Sequence, residues 1–319
     1  MVTMKGSEEH IIRDYREGDE KQIVSLFRST FGKELTVEDW QWKYSVPGEG
    51  RIYSKVVENA SHEIIGHAGA IPLTGILNGQ HIKFFQIADV MVHHKARGFL
   101  GKKNIFSEMI KALFERIGQE FREVFCYGFP GKRPYTIGER VGAYETVEYG
   151  IDCLKYVRRS FLARSCHAEP LSWSDERIDT LWKDMAGELG LALVRDRRYL
   201  FWRYAEHPVF TYQLFGIFRF GKFLGWAVVK PEQDRISVVD LLCSRDACRK
   251  LMRALETFSA ASGKKQICIW LPQRWRKLLK GYEFQKTEVV IANMVWRLPL
   301  ETPFVREKLF YTMGDVDIF

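Results

Sequence analysis

A short basic loop with two glycines is the first place in this sequence where residue types and spacing could do chemistry. The loop reads Arg97-Gly98-Phe99-Leu100-Gly101-Lys102-Lys103, and it follows an apolar run over residues 87–92. Asn104 comes next, where an N-cap would begin an amphipathic helix. Glycines permit close backbone approach, the basic side chains add positive charge, and the first amides of a helix lack internal partners. This arrangement predicts a site for an anionic group such as a phosphate.

Two nucleotide-binding motifs are excluded by the spacing of the loop. A Walker loop requires Gly-Lys-Ser/Thr, and a dinucleotide-binding loop requires Gly-x-Gly-x-x-Gly. The loop has neither pattern, which disfavours nucleoside triphosphates and NAD. No metal site is expected, since the six cysteines show neither Cys-x-x-Cys spacing nor a His pairing typical of zinc. Buried free thiols are the better interpretation.

Composition narrows the class of protein. The 319 residues are 46% hydrophobic and 28% charged, and no apolar run approaches the roughly 18 residues that would cross a membrane. The polar start of the chain shows no signal segment, so a cytoplasmic location without a membrane partner is expected. A net charge of +8 favours an acidic partner, but the basic clusters are scattered and lack an interleaved aromatic motif. A nucleic acid is therefore an unlikely partner.

An internal repeat indicates how the loop is positioned. The segment Trp40-Gln-Trp-Lys-Tyr44 recurs as Leu200-Phe-Trp-Arg-Tyr204, and in each copy a strand-like run with one aspartate follows, at Asp89 and Asp240. An amphipathic helix and a further strand come after each aspartate. We therefore predict an α/β fold with two tandem modules, namely a catalytic domain over residues 1–157, a linker over 158–174 and a degenerate copy with a C-terminal tail over 175–319.

The pattern Ile87-x-Asp89-x-x-Val92-His93-x-x-x-Arg97-Gly98, followed by the amphipathic helix, resembles motif A of the GCN5-related N-acetyltransferases (GNAT family). The resemblance covers most of residues 10–150 and, more weakly, 175–298. It implies modules built from a mixed, mostly antiparallel sheet flanked by helices. It also implies acetyl-CoA, or another acyl-CoA, with its pyrophosphate on the loop and its pantetheine along the preceding strand. The expected cofactor-binding residues are Val90, Met91, Val92, Arg97, Gly98, Phe99, Leu100, Gly101, Lys102, Lys103, Asn104, Ile105 and Arg133.

The loop departs from the family pattern. The family's Arg-Gly-x-Gly-x-Gly/Ala is stretched here by about three residues, which predicts an altered pyrophosphate geometry. In the second copy the equivalent turn, Cys243-Ser-Arg-Asp-Ala-Cys248, has no glycine and carries an acid. That copy is expected not to bind CoA. In tandem relatives the C-terminal carboxylate of the chain can reach the active site. The resemblance therefore implies the same position for the carboxylate of Phe319 here.

Acetyl transfer needs a polarised thioester carbonyl and protonation of the departing thiolate. If the strand splays at a bulge, a backbone amide near Met91 or Val92 can bind the oxyanion, so these two positions are predicted to be catalytic. The family places a tyrosine acid at the counterpart of Gly138, and Tyr135, one helical turn earlier, is the nearest phenol. Tyr135 is therefore the predicted acid, with simple packing as the alternative.

Three functions remain open at this point. The first is an N-acetyltransferase that uses acetyl-CoA and an amine acceptor, either a small molecule or a peptide. The second is a non-catalytic acyl-CoA sensor or docking module, favoured by Gly138 in place of tyrosine. The third is a Fem-type transferase that passes an amino acid from tRNA to a peptide, which the basic charge would suit.

Overall fold

The computed structural model describes residues 10–97, 104–158, 165–295 and 300–317. The predicted phosphate loop from Gly98 to Lys103 and the terminal Phe319 therefore lie outside the described residues. The chain divides into two compact units. The first unit contains Met1–Leu73, Lys83–Glu145 and Ala292–Leu300, and the second contains Thr74–Ile82, Thr146–Ile291 and Glu301–Phe319.

The first unit is built on a sheet with helices between its strands. In chain order its elements are β1 (His10–Asp14), α1 (Glu20–Phe31), α2 (Val37–Tyr44), β2 (Tyr53–Asn59), β3 (Ile64–Leu77), β4 (Gln80–Val92), α3 (Ile105–Glu120), β5 (Val124–Gly128), α4 (Lys132–Arg140) and the start of β6 (Tyr144–Tyr156). The strand order is β1-β2-β3-β4-β5, and β5 pairs with residues 292–293 of β13 (Glu283–Met294). The β4–β5 pair is parallel, whereas β1–β2, β2–β3 and β5–β13 are antiparallel.

Helix α3 follows the predicted loop and illustrates why the elements form where they do. Asn104 caps its start, since its side chain accepts from the amide of Ser107 while the Ser107 hydroxyl accepts from the Asn104 amide. The predicted apolar stripe is buried, and it packs the helix on the sheet through Met109, Ile110, Leu113, Phe114 and Ile117. The prediction of the cap is confirmed, and so is the stripe from Met109 to Ile117, whereas Ile105 and Phe106, also predicted to belong to it, are partly exposed.

The second unit has a similar alternation of strands and helices. Its elements after β6 are β7 (Cys166–Pro170), α5 (Arg177–Leu189), β8 (Leu191–Leu193), α6 (Arg197–Leu200), β9 (Gln213–Arg219), β10 (Lys222–Pro231), β11 (Arg235–Cys243), α7 (Arg245–Ala261), β12 (Gln266–Ile269), α8 (Gln273–Arg276), β13, α9 (Thr302–Lys308) and β14 (Leu309–Phe310). The order is β13-β6-β12-β11-β10-β9-β7, with β11–β12 parallel. Short strand β8 pairs with β14 and with residues 75–77 of β3.

The predicted fold class is confirmed, because the structure is a mixed α/β fold with a mostly antiparallel sheet flanked by helices. The segment predicted as a linker contains β7, an edge strand that pairs antiparallel with β9 and ends at Pro170.

Five of the six cysteines are buried free thiols, as expected, and Cys166 is partly exposed. Within the described ranges, no helix is long and apolar enough to cross a membrane.

Candidate active site

Strand β4 is irregular at the point where the site begins. Asp89 has a φ of 50°, in the left-handed region, although it stands within an otherwise extended strand. Such a residue interrupts the regular ladder in the way that a bulge does. The parallel register of β4 with β5 runs from Lys83 opposite Val124 to Ile87 opposite Gly128, two residues before Asp89. The irregularity therefore falls just beyond the part of β4 that pairs with β5.

Three buried side chains hold Asp89 in this conformation. The Lys43 ammonium donates to both carboxylate oxygens at 3.1 Å, and the Tyr44 hydroxyl donates to Oδ2 at 2.9 Å. His67 donates from Nδ1 to the carbonyl oxygen of Asp89 at 2.8 Å. Burial lowers the pKa of His67, so its imidazole is neutral near physiological pH. We call Lys43, Tyr44 and His67 the Asp89 clamp.

The second unit repeats part of this arrangement. Tyr204, the repeat counterpart of Tyr44, donates to Oδ2 of Asp240 at 2.8 Å. Strand β11 has a register shift against β10 next to Asp240, and its pairing with β12 ends at Val238 opposite Ile269. Because both aspartates hold a tyrosine hydroxyl at a strand irregularity, they are structural residues of the repeat.

A cleft of about 460 Å³ opens beside the end of β4 that extends beyond its pairing with β5. Among the described residues, those that line it come from α1, from β4 and the turn after it, from the start of α3 and from the first two turns of α4. They are Thr30, Phe31, Val90, Val92, Ala96, Arg97, Asn104, Ile105, Phe106, Arg133, Pro134 and Ile137. A volume of this size is ordinary for a small-molecule or cofactor site.

Six of the predicted cofactor-binding residues meet around this cleft, namely Val90, Val92, Arg97, Asn104, Ile105 and Arg133. Met91 does not line it and is 1% exposed. The alternation of a strand explains this difference, since Val90 and Val92 point to one face and Met91 to the other. A role for Met91 through its backbone amide stays a prediction.

Electrostatic features of the cleft favour an anion. Arg97 and Arg133 line it, and no lining residue in the described part of the chain is acidic. Arg97 donates from Nε to the carbonyl oxygen of Val92 at 2.9 Å, which holds its guanidinium close to the strand end. The pKa of the neighbouring His93 is lowered by burial and by the positive charges of His94, Lys95 and Arg97. A negatively charged group would relieve this repulsion.

The predicted acid, Tyr135, lies outside the set of described lining residues. Its side chain is 5% exposed, and its hydroxyl donates to Oε1 of Glu139 at 2.7 Å, one turn along α4. At Gly138 an added Cβ would lie 2.2 Å from Cδ2 of Tyr144. The ring of Tyr144 therefore occupies the space that a side chain at position 138 would need, so the family's tyrosine does not fit there.

Several lining residues were not predicted. Ile137 lies one helical turn after Arg133, and Phe106 is adjacent to Ile105, so the helical period and the chain itself offered a signal for both. Thr30 and Phe31 come from the end of α1, far from the motif, and nothing in the local sequence marks them. Only the tertiary fold places them at the cleft.

The C-terminal tail packs within the second unit. Residues 313–315 form a buried 3₁₀ turn in which Asp315 is paired with Arg195, and Arg195 also donates to Asp240 at 3.0 Å. The Arg203 guanidinium donates to the carbonyl oxygens of Gly314 and Val316. These described residues of the tail are part of the unit's core, and the expectation for the terminal carboxylate lies outside them.

Comparison with known proteins agrees with the geometry of the first unit. Residues 11–147 match the acetyltransferase (GNAT) domain family. The resemblance drawn from the sequence is therefore confirmed for residues 11–147, which are similar to the GCN5-related N-acetyltransferases. No curated protein matches the chain in sequence at a significant level.

Solved structures share the fold at low sequence identity. A GCN5-related N-acetyltransferase from Kribbella flavida has a TM-score of 0.65 at 18% identity, with 90% of this chain and 71% of that chain covered. A probable N-acyltransferase from Enterococcus faecalis V583 has a TM-score of 0.65 at 15% identity, with coverages of 90% and 72%. The N-myristoyltransferase of Saccharomyces cerevisiae with bound myristoylCoA has a TM-score of 0.61 at 10% identity, with coverages of 93% and 85%.

Proposed function

We propose that the protein is an N-acyltransferase that moves an acetyl group from acetyl-CoA to an amine acceptor. The observation that supports this most is the cleft itself. It lies where β4 extends beyond its pairing with β5, it is flanked by two arginines, and the capped start of α3 opens onto it. An acyl-CoA presents an anionic pyrophosphate and a long, amide-bearing pantetheine arm, and the cleft has features for both.

In this proposal, different residues of the cleft bind the pyrophosphate and the pantetheine of acetyl-CoA. The amides at the start of α3, with Arg97 and Arg133, bind the pyrophosphate, because helix N-termini and guanidinium groups both favour anions. The predicted loop from Gly98 to Lys103 would add to this binding. Val90 and Val92 form the wall along which the pantetheine lies. The tandem arrangement with a second module that does not bind CoA is part of the same proposal.

Acyl-CoA supplies an activated thioester. The neutral amine attacks the thioester carbon, the C–N bond forms, and the C–S bond breaks with release of the thiolate. A backbone amide near Met91 or Val92 stabilises the oxyanion, and the Asp89 clamp fixes the strand geometry that presents it. The proton lost from the attacking nitrogen passes through solvent to the departing thiolate, so the products are the amide and the free thiol, and a thiol of ordinary pKa, about 8.5, needs only modest help to leave.

A second candidate function is a non-catalytic acyl-CoA sensor. Two observations favour it: the hydroxyl of Tyr135 is engaged by Glu139, and Tyr144 fills the space beside Gly138. This leaves the cleft without the tyrosine acid of the family among the described residues. The sensor would bind acyl-CoA with the same residues but would not transfer the acyl group.

Calorimetric titration of acetyl-CoA tests the binding that both candidates share. We expect the wild type to bind and the double variant Arg97→Glu, Arg133→Glu to bind at least tenfold more weakly, since two cations of the cleft become anions. Arg122→Glu is the matched control, because Arg122 is exposed and is not a cleft residue. Absence of binding to the wild type would refute both candidates.

Turnover separates the enzyme from the sensor. Release of free CoA from acetyl-CoA in the presence of a panel of amines, followed with a thiol reagent, is expected for the enzyme. Titration with myristoyl-CoA in parallel tests the acyl group, because the yeast neighbour was solved with that ligand. Tight binding with no thiol release from any amine would favour the sensor instead.

A further inference from the structure

The turn between β9 and β10 carries an unusual residue at its apex. Phe220 and Gly221 connect Arg219 to its register partner Lys222, so the loop has two residues. Both have positive φ, 49° and 75°, as expected for a tight hairpin turn. The phenyl ring of Phe220 is 81% exposed, the largest exposure among the exposed large hydrophobic side chains of the described residues.

The same chain shows what this turn ordinarily requires. The two-residue loop between β3 and β4 is Asn78-Gly79, with φ values of 50° and 82°. Asparagine tolerates the left-handed region, whereas a bulky residue such as phenylalanine is strained there. Phe220 therefore adopts an unfavourable backbone conformation and also exposes an apolar ring. Neither cost is offset by burial, which suggests that the ring has a use outside the fold.

Positive charge surrounds the ring. The guanidinium of Arg219 stacks on Phe220 at 5.2 Å, and Lys222 is exposed on the opposite strand. At the base of the hairpin, Arg177 stacks on Phe218 and Phe223. Two acidic groups of the neighbouring segments are paired, since Asp175 binds Arg177 at 2.7 Å and Glu169 binds His167 at 2.8 Å, and Glu176 beside them is exposed. The apex thus presents one aromatic ring between two cations.

We infer that this hairpin apex, residues 219–222, binds reversibly to an anionic membrane surface. A single protruding ring enters the headgroup region without needing a complementary pocket, and the flanking cations reach the lipid phosphates. A peripheral contact of this kind needs no membrane-spanning helix, and the described part of the chain contains none. This inference is independent of the proposed acyltransferase function.

Other occupants fit the apex less well. Single-stranded nucleic acid is bound by several stacking aromatics along a basic groove, whereas the apex offers one ring. A protein pocket would need contacts around the ring, and the tip has only two residues with which to supply them. Each basic residue near an anionic bilayer strengthens binding about fivefold, so two cations with one ring make a weak, reversible contact.

Co-sedimentation of the full chain with vesicles tests the inference. Vesicles of phosphatidylcholine alone are compared with vesicles that also contain phosphatidylserine, at low and at high salt. We expect binding only to the anionic vesicles, with loss at high salt. The Phe220→Asn variant should bind about tenfold more weakly because the buried apolar surface is lost. Lys222→Ser should bind about fivefold more weakly.

The asparagine variant also controls for folding. Because Asn suits the left-handed turn, Phe220→Asn should unfold at the same temperature as the wild type or higher, so its loss of binding is not a loss of structure. Phe284→Ser removes another exposed ring, 51% exposed on β13, and should bind vesicles as the wild type does. Equal binding to both kinds of vesicle, or wild-type binding by Phe220→Asn, would overturn the inference. Binding of single-stranded RNA without vesicle binding would overturn it too.

Discussion

At the scale of single residues, the Asp89 clamp is the feature that links the sequence repeat to the site. Tyr44 and Tyr204 occupy equivalent positions and donate to equivalent aspartates. We predict that Tyr44→Phe and Tyr204→Phe each lower the free energy of unfolding by about 1.5–3 kcal/mol, since each removes a hydrogen bond to a buried charged group. Urea denaturation of the three proteins measures this.

An exposed tyrosine supplies the control for that prediction. Tyr156 is 67% exposed, so Tyr156→Phe should change the free energy of unfolding by less than about 0.5 kcal/mol. If the two buried substitutions changed the free energy of unfolding as little as Tyr156→Phe does, the hydrogen bonds from the tyrosine hydroxyls to the aspartates would not stabilise the fold. The interpretation of both aspartates as structural residues would then fail.

Asp315 gives a prediction about pH. Burial raises the pKa of Asp315 from 3.8 to about 6, although the Arg195 guanidinium opposes this change and Asp240 adds to it. A raised carboxyl pKa means that the folded state holds its proton more tightly than the unfolded state does. This contribution to stability is present below about pH 4 and is lost as the pH rises through about 6.

The measurement is a difference between two proteins. Between about pH 4 and pH 8, the wild type should lose stability relative to Asp315→Asn by on the order of 1–3 kcal/mol, because the amide does not titrate. Asp234→Asn, at an exposed carboxyl of the same unit, should show no such difference. Parallel pH profiles for the wild type and Asp315→Asn would show that the tail carboxyl titrates normally.

At the scale of elements, two substitutions at the start of α3 can distinguish an effect on folding stability from an effect on ligand binding. Asn104→Ala removes the capping side chain and should cost about 1 kcal/mol of the free energy of unfolding. Asn104→Asp keeps the cap, so it should retain stability, but it adds a negative charge to the wall of the cleft. If the cleft binds the phosphates of acyl-CoA, the aspartate variant should bind more weakly than the alanine variant.

Denaturation and calorimetry on the same samples check the two halves of this prediction. The stability half depends only on the cap, and it would be contradicted by an alanine variant as stable as the wild type. The binding half depends on the proposed function. An aspartate variant that binds acetyl-CoA as well as the wild type would place the phosphates elsewhere.

The elements of the first unit were largely predictable, whereas the complete cleft was not. The apolar stripe of α3 follows the helical period, and its cap lies directly before the first helical residue. Both features depend on residues that are close in the chain, so they can be recognised from the sequence. The irregularity at Asp89 was anticipated only in general terms, because its cause is a clamp that joins residues from α2, β3 and β4. Thr30 and Phe31 reach the cleft only through tertiary packing, which no local pattern encodes.

At the scale of the whole molecule, the two units are not contiguous in sequence. Residues near the C-terminus complete the first unit, where Ala292 is opposite Gly128 and Asn293 is opposite Tyr127 on β5. The amide of Val295 also donates to the carbonyl oxygen of Ala143 at 3.0 Å. A boundary near residue 157, as the repeat predicts, would therefore remove a strand from the first unit.

We predict that residues 1–157, expressed alone, do not form a stable, cooperatively folded monomer. Without residues 292–295, β5 becomes an edge strand and loses the Met294 side chain that lies against Gly128 in the full chain, and such an edge promotes association. Size-exclusion chromatography and thermal unfolding by circular dichroism measure this. Co-expression with residues 158–319 supplies the missing strand and should restore a cooperative transition. A soluble monomeric 1–157 fragment with a sharp unfolding transition would show that the first module folds independently and that the strand from β13 is dispensable.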